Sequence, residues 1–100
     1  MDFGSALNAL KANKRVRRSG WNGKGMWLAL TGGSTLDLTD KETCSRLRGA
    51  ALAHAEFESG GPPSITLGAH IDMRAADESL VIGWLASQTD MLSDDWEIVE

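Results

Sequence analysis

Glycine placement constrains this chain more than any other feature. Gly20, Gly23 and Gly25 fall within six consecutive positions, Gly32 adjoins Gly33, and Gly60-Gly61 runs into Pro62-Pro63. Glycine and proline at this density interrupt regular helix and strand, so these stretches are loops and turns. What remains between them is a series of short elements, which limits the fold to a small mixed structure.

Those intervals have readable periods. Phe3, Ala6, Leu7 and Leu10 recur at i, i+3, i+4 and i+7, one face of a helix capped by Asp2 or Ser5 and stopped at Asn13. Arg15-Val16-Arg17 alternates like a strand, as do residues 26–31, and Leu36-Asp37-Leu38 makes a further short strand. Thr39-Asp40-Lys41-Glu42 has the form of a capping box. Behind it Cys44, Leu47, Ala51, Leu52 and Ala55 keep helical spacing to about Phe57, which predicts one helix with Cys44 buried. Residues 59–64 break that helix as a linker between elements. Residues 65–73 read as one strand, 76–79 as a turn and 80–82 as another strand. Ser87-Gln88-Thr89-Asp90 opens a short helix, and Trp96-Glu97-Ile98-Val99 closes the chain as a strand. The sum is an α+β fold, a mostly antiparallel sheet with flanking helices.

One hundred residues suffice for one domain, and a core that small gains from oligomerisation. A single cysteine excludes an intrachain disulfide and suits a reducing cytoplasm. The first residues lack the basic-then-apolar layout of a signal peptide, and no apolar run approaches the ~20 residues that span a bilayer. A cytoplasmic protein without a membrane partner is therefore expected.

The net charge of −4 conceals an asymmetry: residues 1–38 hold six basic against two acidic side chains, and residues 39–100 hold four against twelve. An acidic remainder repels long nucleic acid, whereas the basic stretch at residues 14–18 suits a small anion. That stretch reads equally well as a solvated strand.

The loop at residues 19–25 resembles a phosphate loop only in composition, since the G-x-x-x-x-G-K-[ST] spacing is absent and a strand follows it. It presents Trp21 between glycines, beside Asn22 and close to Arg17, Arg18 and Lys24. Two readings stay open for Trp21: stacking on a nucleobase, or folding back to cap the sheet edge. Trp27 and Trp96 read as core, and Trp84 as packing. Ser87 reads as an N-cap, leaving Gln88, Thr89 and Asp90 as a polar cluster at a helix start. His70 and Asp72 share a strand face, but with Cys44 and His54 they form no standard ligand spacing, so no metal is expected. Asp94 and Asp95 read as a solvated turn. No group activates a nucleophile, so neither catalysis nor a cofactor is expected.

Three regions resemble one family. Phe3-Gly4-Ser5-Ala6-Leu7 with Arg18-Ser19-Gly20-Trp21-Asn22-Gly23-Lys24-Gly25-Met26-Trp27-Leu28 is similar to the N-terminal signature of the Thoeris anti-defence family, second type. His70-Ile71-Asp72-Met73-Arg74-Ala75-Ala76-Asp77 resembles its central strand and turn. Trp84-Leu85-Ala86-Ser87-Gln88-Thr89-Asp90-Met91-Leu92, followed by Asp95-Trp96, resembles its C-terminal signature. The resemblance covers about two thirds of the chain. It implies a phage protein that traps, without degrading it, the glycocyclic ADP-ribose made by a bacterial TIR-domain enzyme, with cyclic dinucleotides held at separate sites in some members. It also implies a homotetramer with pockets between subunits, acting in the infected host's cytoplasm. On that basis Trp21, Asn22, Arg18, Lys24, Gln88, Thr89 and Asp90 are the expected ligand-binding residues. Two departures stand out: residues 39–64 match no part of the quoted signature and read as a variable helical insert and linker within a domain spanning residues 1–100, and Gly83 occupies a position where a proline is expected. The alternatives are an enzyme acting on a cyclic nucleotide and a phage structural or interaction protein.

Overall fold

The computed structural model describes residues 1–57 and 63–100, so most of the linker predicted at residues 59–64 lies outside the described residues. Two compact units emerge, one of residues 1–32 with 69–100 and one of residues 33–68. Every described strand pair is antiparallel, and helices accompany the strands in both units, so the chain is α+β as expected.

In the first unit, helix α1 (Phe3–Lys11) starts at Asp2, whose carboxylate accepts the Ser5 amide at 2.8 Å. It ends before Asn13, which takes the left-handed conformation that asparagine tolerates (φ 63°). Strands β1 (Arg15–Arg18) and β2 (Trp27–Thr31) follow. Strands β3 (Ser34–Asp37) and β4 (Ser64–Leu67) lie in the second unit, with helices α2 (Lys41–Ser45) and α3 (Gly49–Phe57) between them in sequence. Strands β5 (His70–Arg74) and β6 (Leu80–Val81), helix α4 (Gln88–Leu92) and strand β7 (Trp96–Val99) return to the first. The five-stranded sheet runs β6-β5-β2-β1-β7, which makes the first and last strands of the chain neighbours.

Register sorts the side chains of this sheet. Val16 pairs with Leu28, Leu28 with Met73, and Arg18 with Trp96. Because alternate residues face opposite sides, these share one face, and α1 covers it with Ala6 and Leu10. Ala6, Leu10, Val16, Leu28 and Trp96 are the buried core; each large side chain there contributes about 1.5–3 kcal/mol. The opposite face carries Arg15, Arg17, Glu97, Trp27 and Asp72.

Several expectations change. Trp27 is not core: it is half-buried on the outer face, with the Arg15 guanidinium 5.3 Å from its ring. Its truncation therefore removes a cation–π contact and partial burial only, and Trp27→Ala should cost about 1–2 kcal/mol in a urea melt. A loss above about 3 kcal/mol would mean that the ring packs more deeply than this.

The helix expected from residue 39 to 57 is two helices, interrupted at residues 46–48. Its cap is Asp40 rather than Thr39: Asp40 accepts the Glu42 and Thr43 amides, while the Thr39 hydroxyl donates to Asp37 at 2.6 Å. Aspartate caps at least as well as threonine, so the start moves one residue on. Cys44 is exposed because α2 buries no residue. The strand expected over 65–73 divides at Gly68-Ala69 into β4 and β5, which belong to different sheets.

Candidate functional site

The site is built where β1 leaves the sheet. Pairing of β1 with β7 sets Arg17 opposite Glu97 and Arg18 opposite Trp96, and α4 stands just before β7. The loop at residues 19–25 thus meets a helix nearly seventy positions away. Asp95 receives the Gly20 amide at 2.8 Å, and the approach is so close that a Cβ on Gly20 would sit 2.6 Å from that carboxylate. A larger residue at Gly20 would have to displace the Asp95 carboxylate and the Arg18 guanidinium bound to it.

Arg18 lies at the centre. Its Nε donates to Asp95 Oδ1 and its Nη1 to Asp90 Oδ1, both at 2.8 Å, with only 14% of its side chain exposed. Both carboxylates hold the guanidinium firmly in its charged form, Asp95 more strongly. Asp90 Oδ1 also accepts the Trp21 indole N–H at 3.1 Å, and Oδ2 accepts the Ser87 amide. Ser87 in turn accepts the Asp90 amide, which completes the capping box of α4. Burial would push the Asp90 carboxyl up, but bonds from Arg18, Trp21 and Ser87 outweigh it and hold the group below the usual carboxylate range. Asp95 is held low mainly by Arg18. Asp95 is therefore an anchor and not part of a solvated turn.

Trp21 folds back. Its ring lies 5.4 Å from Trp96 at 79° and 6.5 Å from Trp84, in a cluster that Phe3 completes from α1. It remains half-buried. Trp84 packs and Trp96 is core, as the sequence indicates.

Beside Trp21 opens a cleft of about 310 Å³, lined by Arg17, Arg18, Lys24 and Glu97 with loop residues 19, 23, 25 and 26. Of the expected ligand residues, the structure brings Arg18, Trp21, Lys24 and, through Arg18, Asp90 together. Asn22, Gln88 and Thr89 are exposed and lie outside the cleft wall. Glu97 went unremarked from sequence, because only strand register places it opposite Arg17.

A second polar centre lies on the outer sheet face. Asp72 accepts from the Thr31 hydroxyl, from the Gly83 amide at 2.9 Å, and shares a 2.7 Å bond with His70 Nδ1. Burial alone would raise its carboxyl, but these bonds hold it below the ordinary range. The Gly83 backbone has φ +79° and donates its N–H; proline can do neither, which accounts for glycine here. Among the described residues no group of three or more His, Cys, Asp or Glu is placed to hold a metal.

With this geometry established, comparison with known proteins gives two results. The model of the Thoeris anti-defense 2-like domain matches residues 1–99. The chain belongs to the Thoeris anti-defense 2-like family. Thoeris anti-defense 2 of Bacillus phage SP01 is 37% identical over 102 residues, covering 99% of this chain and 94% of that protein. The matched span includes residues 39–64. Family membership supports a phage anti-Thoeris role. No described helix is long and apolar enough to cross a membrane.

Proposed function

We propose that this chain binds and sequesters a cyclic nucleotide immune signal, glycocyclic ADP-ribose or a cyclic dinucleotide, without degrading it. The observation that carries the reading is the cleft in which Arg17, Arg18 and Lys24 converge beside the Trp21 ring, in a member of an anti-Thoeris family. The cations suit phosphates, with Arg18 pre-set by its carboxylates and Lys24 supplying a point charge. The open part of the Trp21 ring suits a nucleobase. Asn22, Gln88 and Thr89 offer exposed amides and a hydroxyl to ribose or base edges. Asp90 acts by holding Arg18 and Trp21, since its own oxygens are engaged.

At about 310 Å³ the cleft is at the small end for a nucleotide-sized ligand. A homotetramer that completes pockets between subunits fits this, and the first unit has surface to spare for it. Leu80, Ile82 and Leu92 are 60%, 65% and 77% exposed and Leu85 is 90% exposed, a degree of apolar exposure that marks interaction surfaces.

Native mass spectrometry with a panel of cyclic nucleotides tests ligand and assembly together. The expected result is a tetramer that takes up a cyclic nucleotide stoichiometrically and releases it unchanged on heating. Turnover of any of them at substoichiometric protein would favour an enzyme, and no uptake at all would favour an interaction protein.

A further inference from the structure

We propose that Glu97 is a specificity-determining carboxylate, which admits internal phosphates, each with a single negative charge, into the cleft and repels terminal phosphates; this rests on the nucleotide-binding reading above. Three cations line the cleft, but two are already engaged. Arg18 is shared between Asp90 and Asp95, and Arg17 Nε is bound to Glu97 Oε1 at 2.8 Å. Among the described residues Lys24 has no ion pair. Three carboxylates thus balance three cations, where a site for a multiply charged terminal phosphate would show a clear positive excess.

Of the three carboxylates, Glu97 is the one that forms part of the cleft wall. Asp90 and Asp95 bind the guanidinium without lining the cleft, whereas Glu97 lines it with its side chain 44% exposed. Its place is fixed by backbone pairing, since β7 sets it directly across from Arg17. An internal phosphate, whether a phosphodiester or one half of a bridging diphosphate, carries one negative charge and can be met by Lys24 and the spare N–H groups of Arg17 and Arg18. A terminal phosphate carries about 1.5 to 2 negative charges at pH 7. Bringing that further charge beside Glu97 costs like-charge repulsion at short range.

The test uses two probes with the same ring, cyclic ADP-ribose and cyclic ADP-ribose 2′-phosphate, titrated calorimetrically into wild type and Glu97→Gln. The glutamine keeps an acceptor for Arg17 and removes only the charge; thermal melts confirm that the variant is folded. Wild type is expected to bind the 2′-phosphate at least about tenfold more weakly, and Glu97→Gln to strengthen binding of both probes but of the 2′-phosphate more, so that the gap shrinks about tenfold. Raising ionic strength should narrow the wild-type gap more than the variant's. An equal gap in both proteins would mean that steric fit discriminates, and would overturn the inference while leaving nucleotide binding intact. A wild type that prefers the 2′-phosphate would overturn it as well. Binding of neither probe by either protein would overturn this inference, and the proposed function would then rest on the other cyclic nucleotides of the panel.

Discussion

Trp21→Ala is expected to lower the unfolding free energy by about 2–4 kcal/mol, and to weaken cyclic nucleotide binding by one to two decades in affinity among the molecules that remain folded. The stability loss follows from where the ring lies. It meets Trp96, the largest buried side chain of the core, edge-on at 5.4 Å, touches Trp84 at 6.5 Å, and donates its N–H to Asp90. Full burial would put truncation at about 3–5 kcal/mol, and partial exposure lowers that. Edge-to-face contacts account for roughly 0.5–1.5 kcal/mol each. The binding loss follows from the stacking of a base, roughly 1–3 kcal/mol, if the exposed part of the ring serves that purpose. Urea melts and calorimetric titration of Trp21→Ala and Trp21→Phe separate the two. Phenylalanine restores most of the packing and loses the bond to Asp90, so it should recover more than half of the stability. An alanine variant as stable as wild type would mean that the ring stands free of the cluster.

Asp90→Ala should cost about 2–4 kcal/mol, through three hydrogen bonds lost at once. Arg18 retains Asp95, but its Nη1 donor loses its partner in a place where 14% of each side chain is exposed. The Trp21 N–H and the Ser87 amide are orphaned as well. Removing one member of a largely buried pair leaves donors without acceptors, which is the expensive way to break it, and Asp95 compensates only part of the loss. Asp90→Asn isolates the charge, and pH reads it. The folded carboxyl of Asp90 is held below its ordinary value, so the folded state binds its proton less readily than the unfolded chain, whose value is about 3.9. The stabilisation is therefore fully present above that value and is lost as pH falls through the folded one. Asp95 and Asp72, also held low, act in the same direction. Urea melts between pH 3 and 7 should show wild-type stability level above about pH 5 and falling below about pH 4, with a shallower fall for Asp90→Asn. Parallel profiles would mean that Asp90 titrates alike in both states.

How far the sequence could be read depended on the range of the interaction. Helix α1, its start at Asp2 and its stop at Asn13 follow from side chains within a few positions of one another. So do the capping box of Ser87 with Asp90 and the turn at residues 76–79, where Asp77 accepts both the amide and hydroxyl of Ser79. The helix of residues 39–57 was misread because helical spacing persists across a break at residues 46–48, and apolar periodicity does not register a local loss of backbone bonding. Residues 65–73 misled for a related reason: two strands with the same alternation belong to different sheets, and alternation carries no label for the partner.

The local chemistry of the chain is therefore its own: the caps and turns that start and stop α1 and α4, and that a tryptophan, an amide and several cations crowd one glycine-rich loop. The destination of that loop is not. Arg18 is separated by 72 positions from Asp90 and by 77 from Asp95, and only the placement of β1 between β2 and β7 brings them within bonding distance. That same pairing turns Trp21 inward, puts Glu97 against Arg17, and converts a run of exposed positive charge into a nearly balanced cleft. The physical reason is that strand pairing bonds backbone to backbone, the same for every residue. Which strand lies beside which, and in what register, is decided by burial of the shared face under α1, a property of the assembled sheet and of no single segment.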